Sequence, residues 1–174
     1  QKTAYEIRLS LVGSEMCIRD SLDEIWPLIR RARPGARLEV AGGGLAPDLA
    51  RQVRSAGGIV IGPVDDLSEL FRRATVVIIP LRFGGGLRIR LLEALAARRA
   101  VVATPTGIGG LAGHDGEHWL LGRNAAELAR AAVRLLSEPE LVRRLGESGR
   151  TLIEAQYSQT RADAQVQSLV QRFI

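Results

Sequence analysis

Lysine is nearly absent from this chain of 174 residues: Lys2 is the only one, although lysine and arginine together number 24. A phosphate loop of the form G-x-x-x-x-G-K-[ST] is therefore excluded, because no lysine is available for it. Methionine and cysteine are each limited to a single residue, Met16 and Cys17. Aromatic residues make up only 4% of the chain and are not interleaved with the basic ones, which argues against stacking of single-stranded nucleic acid. No apolar run approaches the roughly 18 residues needed to span a bilayer, so a soluble chain is expected.

The scarce residues are not scattered. Lys2, Met16 and Cys17 all fall within residues 1–21, whereas residues 22–174 carry arginine as their only basic residue besides two histidines. The stretch from Tyr5 to Ser21 also resembles a translated sequencing adapter, a contaminant of assembled environmental sequences. Residues 1–21 are accordingly expected to be non-native and are set aside. The alternative is a natural strand with alternating Ile7, Leu9 and Leu11. With Cys17 discounted, a Cys-ligated zinc site and a thiol nucleophile are both excluded.

What remains is one domain's worth of chain, with an ordinary balance of 46% hydrophobic and 25% charged residues. The net charge of +5 is carried by arginines that read as solvated helix faces. Short apolar runs alternate with amphipathic stretches. Strands are expected over 37–41, 58–61, 75–79, 100–103 and 119–121. Helices are expected over 22–33, 47–55, 125–136, 140–155 and 159–173, with a further helix start at Asp66, where Glu69 completes a capping box. Strand and helix alternating at this spacing imply right-handed crossovers and an α/β fold with a doubly wound, Rossmann-like parallel sheet.

Ligands of such sheets bind at the carboxyl ends of the strands, where glycine clusters fall here: 42–44, Gly62, 84–86 and 107–110. A dinucleotide-binding reading fails at Gly42-Gly43-Gly44-Leu45-Ala46-Pro47, which lacks the third glycine of G-x-G-x-x-G, although Asp65 lies about 20 residues onward. The turn Gly84-Gly85-Gly86 opens an otherwise apolar helix that contains Glu93. The unpaired N–H groups of that helix suit an anion such as the phosphate of a phosphorylated sugar. Two readings of Glu93 stand. Its carboxylate can accept hydrogen bonds from a ribose diol, or it can form an i, i+3 ion pair with Arg90.

From Leu38 to Ser158 the chain resembles the C-terminal, donor-binding domain of GT-B glycosyltransferases, most closely the large retaining family numbered four. The resemblance rests on Leu38-Glu39-Val40-Ala41-Gly42-Gly43-Gly44, Ile61-Gly62-Pro63-Val64-Asp65-Asp66-Leu67, the run from Gly84 to Ala96, Val101-Val102-Ala103-Thr104, Gly110-Leu111, Asp115-Gly116-Glu117-His118 and Leu135 to Ser158, in the family's order. It implies that residues 22–158 bind a nucleotide-diphosphate sugar and that residues 159–174 form a helix packing towards a missing N-terminal acceptor domain. Residues implied at the donor are Val64 at the base, with Leu67 in the same nucleobase-holding segment, the backbone of Gly86 and Leu87 at the diphosphate, Glu93 on the ribose, and Gly44 and Gly85 within the two glycine turns. Arg88 and Arg90 stand where they would neutralise the leaving diphosphate.

The implied chemistry is front-face displacement, with no protein base, no metal and no cofactor besides the donor. His114 and His118 then read as loop residues. A cytoplasmic location with peripheral contact at an inner membrane is expected from the donor and the positive charge. Three departures stand out: Gly85 replaces the family's first glutamate, Arg98 and Ala100 replace a glycine and a proline, and the first strand is lost with residues 1–21 unless residues 5–12 substitute for it. Other readings are a non-catalytic nucleotide-sugar-binding or regulatory module and, less favoured, a nucleic-acid-binding domain with salt-dependent affinity.

Overall fold

The computed structural model describes residues 8–12, 14–41, 45–62, 67–84, 86 and 88–158. Six parallel strands form one sheet in the order β3-β2-β1-β4-β5-β6. They are β1 (Arg8–Val12), β2 (Arg37–Ala41), β3 (Ile59–Ile61), β4 (Val76–Ile79), β5 (Ala100–Ala103) and β6 (Leu120–Leu121). The chain direction of the strand order reverses between β1 and β4, the topological switch point of a doubly wound sheet.

The first strand is not lost: of the two expectations for it, supply from within residues 5–12 is the one found. β1 lies at the centre, paired with β2 from Arg8↔Arg37 to Val12↔Ala41 and with β4 from Leu9↔Val76 to Leu11↔Ile78. A central strand needs only a few residues of alternating character, and this segment supplies them. Leu9 and Leu11 point into one core cluster beside Leu38, Val40 and Ile78. Ser10 points to the other face, fully buried.

Helical structure runs unbroken across residues 21 and 22, where composition sets the expected boundary. Helix α1 (Glu15–Asp20) continues through a π-helical turn, Ser21–Ile25, into α2 (Trp26–Ala32), with the junction residues in helical conformation. Pro27 explains the wide turn, since it has no N–H to give the carbonyl four residues back and its ring crowds that carbonyl. Ser14 caps α1 by accepting from the Cys17 N–H.

The remaining helices are α3 (Pro47–Ser55), α4 (Ser68–Arg73), α5 (Ile89–Ala96), α6 (Pro105–Ile108), α7 (Ala125–Ser137) and α8 (Pro139–Gln156). Leu67, rather than Asp66, stands at the N-cap of α4. The expected helix over 159–173 lies outside the described residues. Helices α1, α2, α3 and α7 cover one face of the sheet, with Ile18, Ile29, Leu49, Val53 and Leu135 in its core. Helices α4 and α5 cover the other, with Phe71, Leu91 and Leu95. α8 serves both, sending Leu141 and Leu145 to the first cluster and Leu152 and Ile153 to the second. Each fully buried Leu or Ile side chain contributes roughly 1.5–3 kcal/mol. Among the described residues no helix is long and apolar enough to cross a membrane.

Two glycines show how tightly α8 docks. A side chain at Gly146 would strike the carbonyl of Arg98, and one at Gly113 would strike the Trp119 ring, with Leu152 Cδ2 2.9 Å away. Arg98 itself carries a left-handed φ of 58° just past α5, where glycine is the usual helix terminator.

Candidate functional site

The loops at the carboxyl ends of β4 and β5 meet beside the switch point. β4 is buried throughout and ends at Pro80, after which the chain turns through Gly84 and Gly86, at φ 111° and 82°, into α5. Such angles are open to glycine and costly for other residues. No side chain caps α5, so its leading N–H groups face outward at the sheet's carboxyl edge.

Of the residues expected at the donor, Gly44, Val64, Gly85 and Leu87 lie outside the described residues. Leu67 is 6% exposed and packs in the core with Leu70 and Phe71, its carbonyl accepting the first main-chain bond of α4 from Phe71. Gly86 is exposed. Glu93 and Arg90 form the i, i+3 pair, Nη1 donating to Oε2 at 2.9 Å and Oε1 at 3.3 Å. Both side chains remain open to solvent, at 39% and 46%.

Arg88 behaves differently. Its Nη2 donates to the Gly84 carbonyl at 2.7 Å, so the guanidinium folds back over the turn. Arg88 also sits at the N-cap of α5, its carbonyl accepting from Leu91 and Leu92 at 2.9 and 3.1 Å.

A cavity of about 380 Å³, lined by both polar and apolar residues, opens between the first helix, the ends of β4 and β5 and the start of α7. Arg82 spans its rim, meeting Asp20 at 3.3 Å and Glu24 at 2.7 Å. Thr104, Arg123 and Asn124 add polar groups to the wall, and Ile25, Pro80 and Leu128 apolar ones. Asn124 caps α7 by accepting from the Glu127 N–H at 2.9 Å, and Glu127 accepts in return from the Arg123 N–H at 2.8 Å. That backbone bond, with the Asn124 side chain and nearby arginines, holds the Glu127 carboxyl below its ordinary range. Setting residues 1–21 aside hid this cavity, although Asp20 and Glu24 at i, i+4 spacing are the signature of one acidic helix face.

His118 is nearly buried in the loop before β6, its Nδ1 accepting from the His114 N–H at 3.1 Å. Both histidines shape that loop. Among the described residues no group of three or more His, Cys, Asp or Glu side chains is arranged to hold a metal ion.

The family model described as "Glycosyl transferases group 1" matches residues 8–138, well over half the chain and including β1. No curated protein matches the sequence significantly. Among solved structures, the C-terminal domain of the group 1 glycosyl transferase LpcC from Francisella tularensis is similar at TM-score 0.69 and 21% identity, over 88% of this chain and 87% of that one. HepE of Anabaena, solved in complex with UDP, is similar at TM-score 0.82 and 12% identity, over 97% of this chain and 50% of its own. Sucrose-phosphate synthase from Thermosynechococcus elongatus gives 0.75 and 23%, over 98% and 46%. At these identities the likeness is one of fold. The chain spans about half the length of the latter two.

Proposed function

The chain belongs to the glycosyl transferases group 1 family, and we propose that it is the half of such an enzyme that binds the activated donor, a sugar carried on a nucleoside diphosphate. The observation that carries this reading is the uncapped N-terminus of α5 set behind the Gly84–Gly86 turn, with Arg90 in its first turn and Glu93 one turn further in. The helix end and backbone N–H groups, including those of Gly86 and Leu87, suit the diphosphate. Glu93 accepts from the ribose hydroxyls, each charged hydrogen bond contributing roughly 1.5–3 kcal/mol. Val64 and the main chain at Leu67 border the base, and Gly44 and Gly85 let the backbone approach the donor.

In the unliganded chain Arg90 neutralises Glu93. On donor binding the ribose hydroxyls take over that carboxylate, and Arg90 turns to the diphosphate. Transfer breaks the bond between the anomeric carbon and the phosphate oxygen, and the acceptor oxygen bonds to the same carbon on the same face. The acceptor proton passes to a donor phosphate oxygen. The negative charge left on the nucleoside diphosphate is met by Arg90 and the α5 N-terminus without a metal. The acceptor is held by an N-terminal domain. A nucleotide-sugar donor places the reaction in the cytoplasm, and the arginine-borne charge favours peripheral contact with an anionic membrane face.

Calorimetric titration of the chain with UDP, GDP, CDP and ADP tests the reading. Saturable binding of one of them is expected, weakened at least about tenfold in Glu93→Gln, as loss of one charged hydrogen bond implies. Absence of saturable binding to all four overturns it. A whole enzyme that binds the donor yet transfers no sugar would favour the non-catalytic binding module instead.

A further inference from the structure

We propose that the loop after β5, from Thr104 to Gly110, is a template that sets the shape of the glycine turn before α5, with Arg88 as the positioning residue latched between them. The inference concerns the free protein. It rests on the donor-binding reading only in what the turn is for.

The two loops are joined at successive levels. At the base, the Thr104 N–H donates to the Ile79 carbonyl at 3.3 Å, and the Thr104 hydroxyl donates to the carbonyl of Leu81. The same hydroxyl oxygen accepts from the Gly107 N–H at 2.9 Å, capping α6. A side chain at Gly107 would lie 2.5 Å from the Ile79 carbonyl oxygen, so α6 rests directly on the end of β4.

At the top, Gly109 takes a left-handed φ of 63° and presents its bare Cα to the turn. A Cβ there would sit 2.8 Å from the Gly86 carbonyl oxygen and 3.1 Å from Arg88 Cγ. The Arg88 stem is thus clasped by the β5 loop, and its guanidinium reaches back to the Gly84 carbonyl at 2.7 Å. Gly84 takes φ 111°, a conformation that favours glycine, and a Cβ there would come within 3.1 Å of Arg88 Nη2.

One arginine therefore ties three points of the site: the Gly84 carbonyl, the first main-chain bonds of α5 and the β5 loop. A guanidinium so engaged holds the backbone in place for an anion instead of meeting the anion itself. This reassigns Arg88 from a charge-neutralising role to a positioning one, and leaves Arg90 as the mobile cation. Preorganised backbone donors need this rigidity, because reorientation at the moment of binding would cost part of the gain.

Gly110 supplies a matched control. It has a φ of 79°, as unfavourable for alanine as that of Gly109, yet nothing lies within 4 Å of a Cβ placed there. The test is hydrogen exchange by mass spectrometry on the ligand-free chain, comparing a peptide over 80–92 with one over α7. Gly109→Ala and Arg88→Ala should each speed exchange in 80–92 at least tenfold, with α7 unchanged, and Gly110→Ala should not. The double variant Gly109→Ala/Arg88→Ala should exchange no faster than the faster single variant, since both release one latch.

Equal effects of Gly109→Ala and Gly110→Ala, or multiplying effects in the double variant, would overturn the proposal. Should Gly109→Ala not fold, Thr104→Val makes the same comparison by deleting the hydroxyl bonds at nearly constant volume. Titration with UDP then separates the two readings. If exchange responds as expected and the parent chain does not bind UDP, the template stands and UDP is not the ligand.

Discussion

Replacing Arg8 by alanine removes the closest partner of Glu39, a carboxylate only 1% exposed in the middle of β2. Arg8 Nη1 donates to Glu39 Oε1 at 2.6 Å, and Arg73 Nε approaches Oε2 at 3.4 Å from α4. Breaking a buried ion pair from one side costs about 3–5 kcal/mol, because a desolvated charge is left behind. Arg73 remains and the Arg8 side chain is 22% exposed, so water reaches the pair. The lower end, about 3 kcal/mol, is expected. For a chain of this size each kcal/mol lowers the melting midpoint by about 2–4 °C, so the loss should be roughly 6–12 °C. The double replacement Arg8→Met/Glu39→Leu removes both charges, and should be neutral or more stable than the parent by up to a few kcal/mol (roughly 1–4). Urea denaturation followed by circular dichroism measures both. A change below about 0.5 kcal/mol in Arg8→Ala, the size of an ordinary surface substitution, would mean that β1 does not seat against β2 as described.

Other outcomes follow from the packing and the caps. Gly146→Ala drives a methyl group into the Arg98 carbonyl, and overpacking of about 1–3 kcal/mol should exceed the helix-propensity gain of about 1 kcal/mol. A raised melting midpoint would refute the close approach of α8. Arg98→Gly relieves the left-handed φ of 58° and should stabilise the chain by about 1 kcal/mol, read as a shift in the urea midpoint. Glu127 is held below its ordinary value of 4.5, first by the Arg123 backbone bond. Its contribution is therefore complete above pH 4.5 and is lost as the pH falls from there through the depressed folded value. Glu127→Gln should flatten that acid limb of the stability–pH profile. An unchanged limb would show that the cap bonds do not persist in solution.

Much of the fold is legible in local pattern. Continuous apolar runs mark β4 and β5, because parallel strands are covered on both faces. Pro47 marks the helix start at α3, since a missing N–H suits a first turn. The motif order from Leu38 to Ser158 likewise carries the family. Two features are not legible. Composition separates residues 1–21 from the rest, yet pairing and burial depend only on side-chain alternation and length, which Leu9, Ser10 and Leu11 satisfy. The sign and spacing of Arg88 and Arg90 are the same kind of signal, yet one folds back on a carbonyl and the other pairs with Glu93.

Sequence by itself determined the alternation of strand and helix, the glycine turn and the carboxylate behind it, because these depend on residues close along the chain. Tertiary structure alone decided which segment became the central strand, which arginines reached the buried Glu39, and which loop braced the turn. Those outcomes rest on contacts between residues far apart in sequence, such as Arg8 with Glu39 and Gly109 with Gly86. Local propensity carries no record of them.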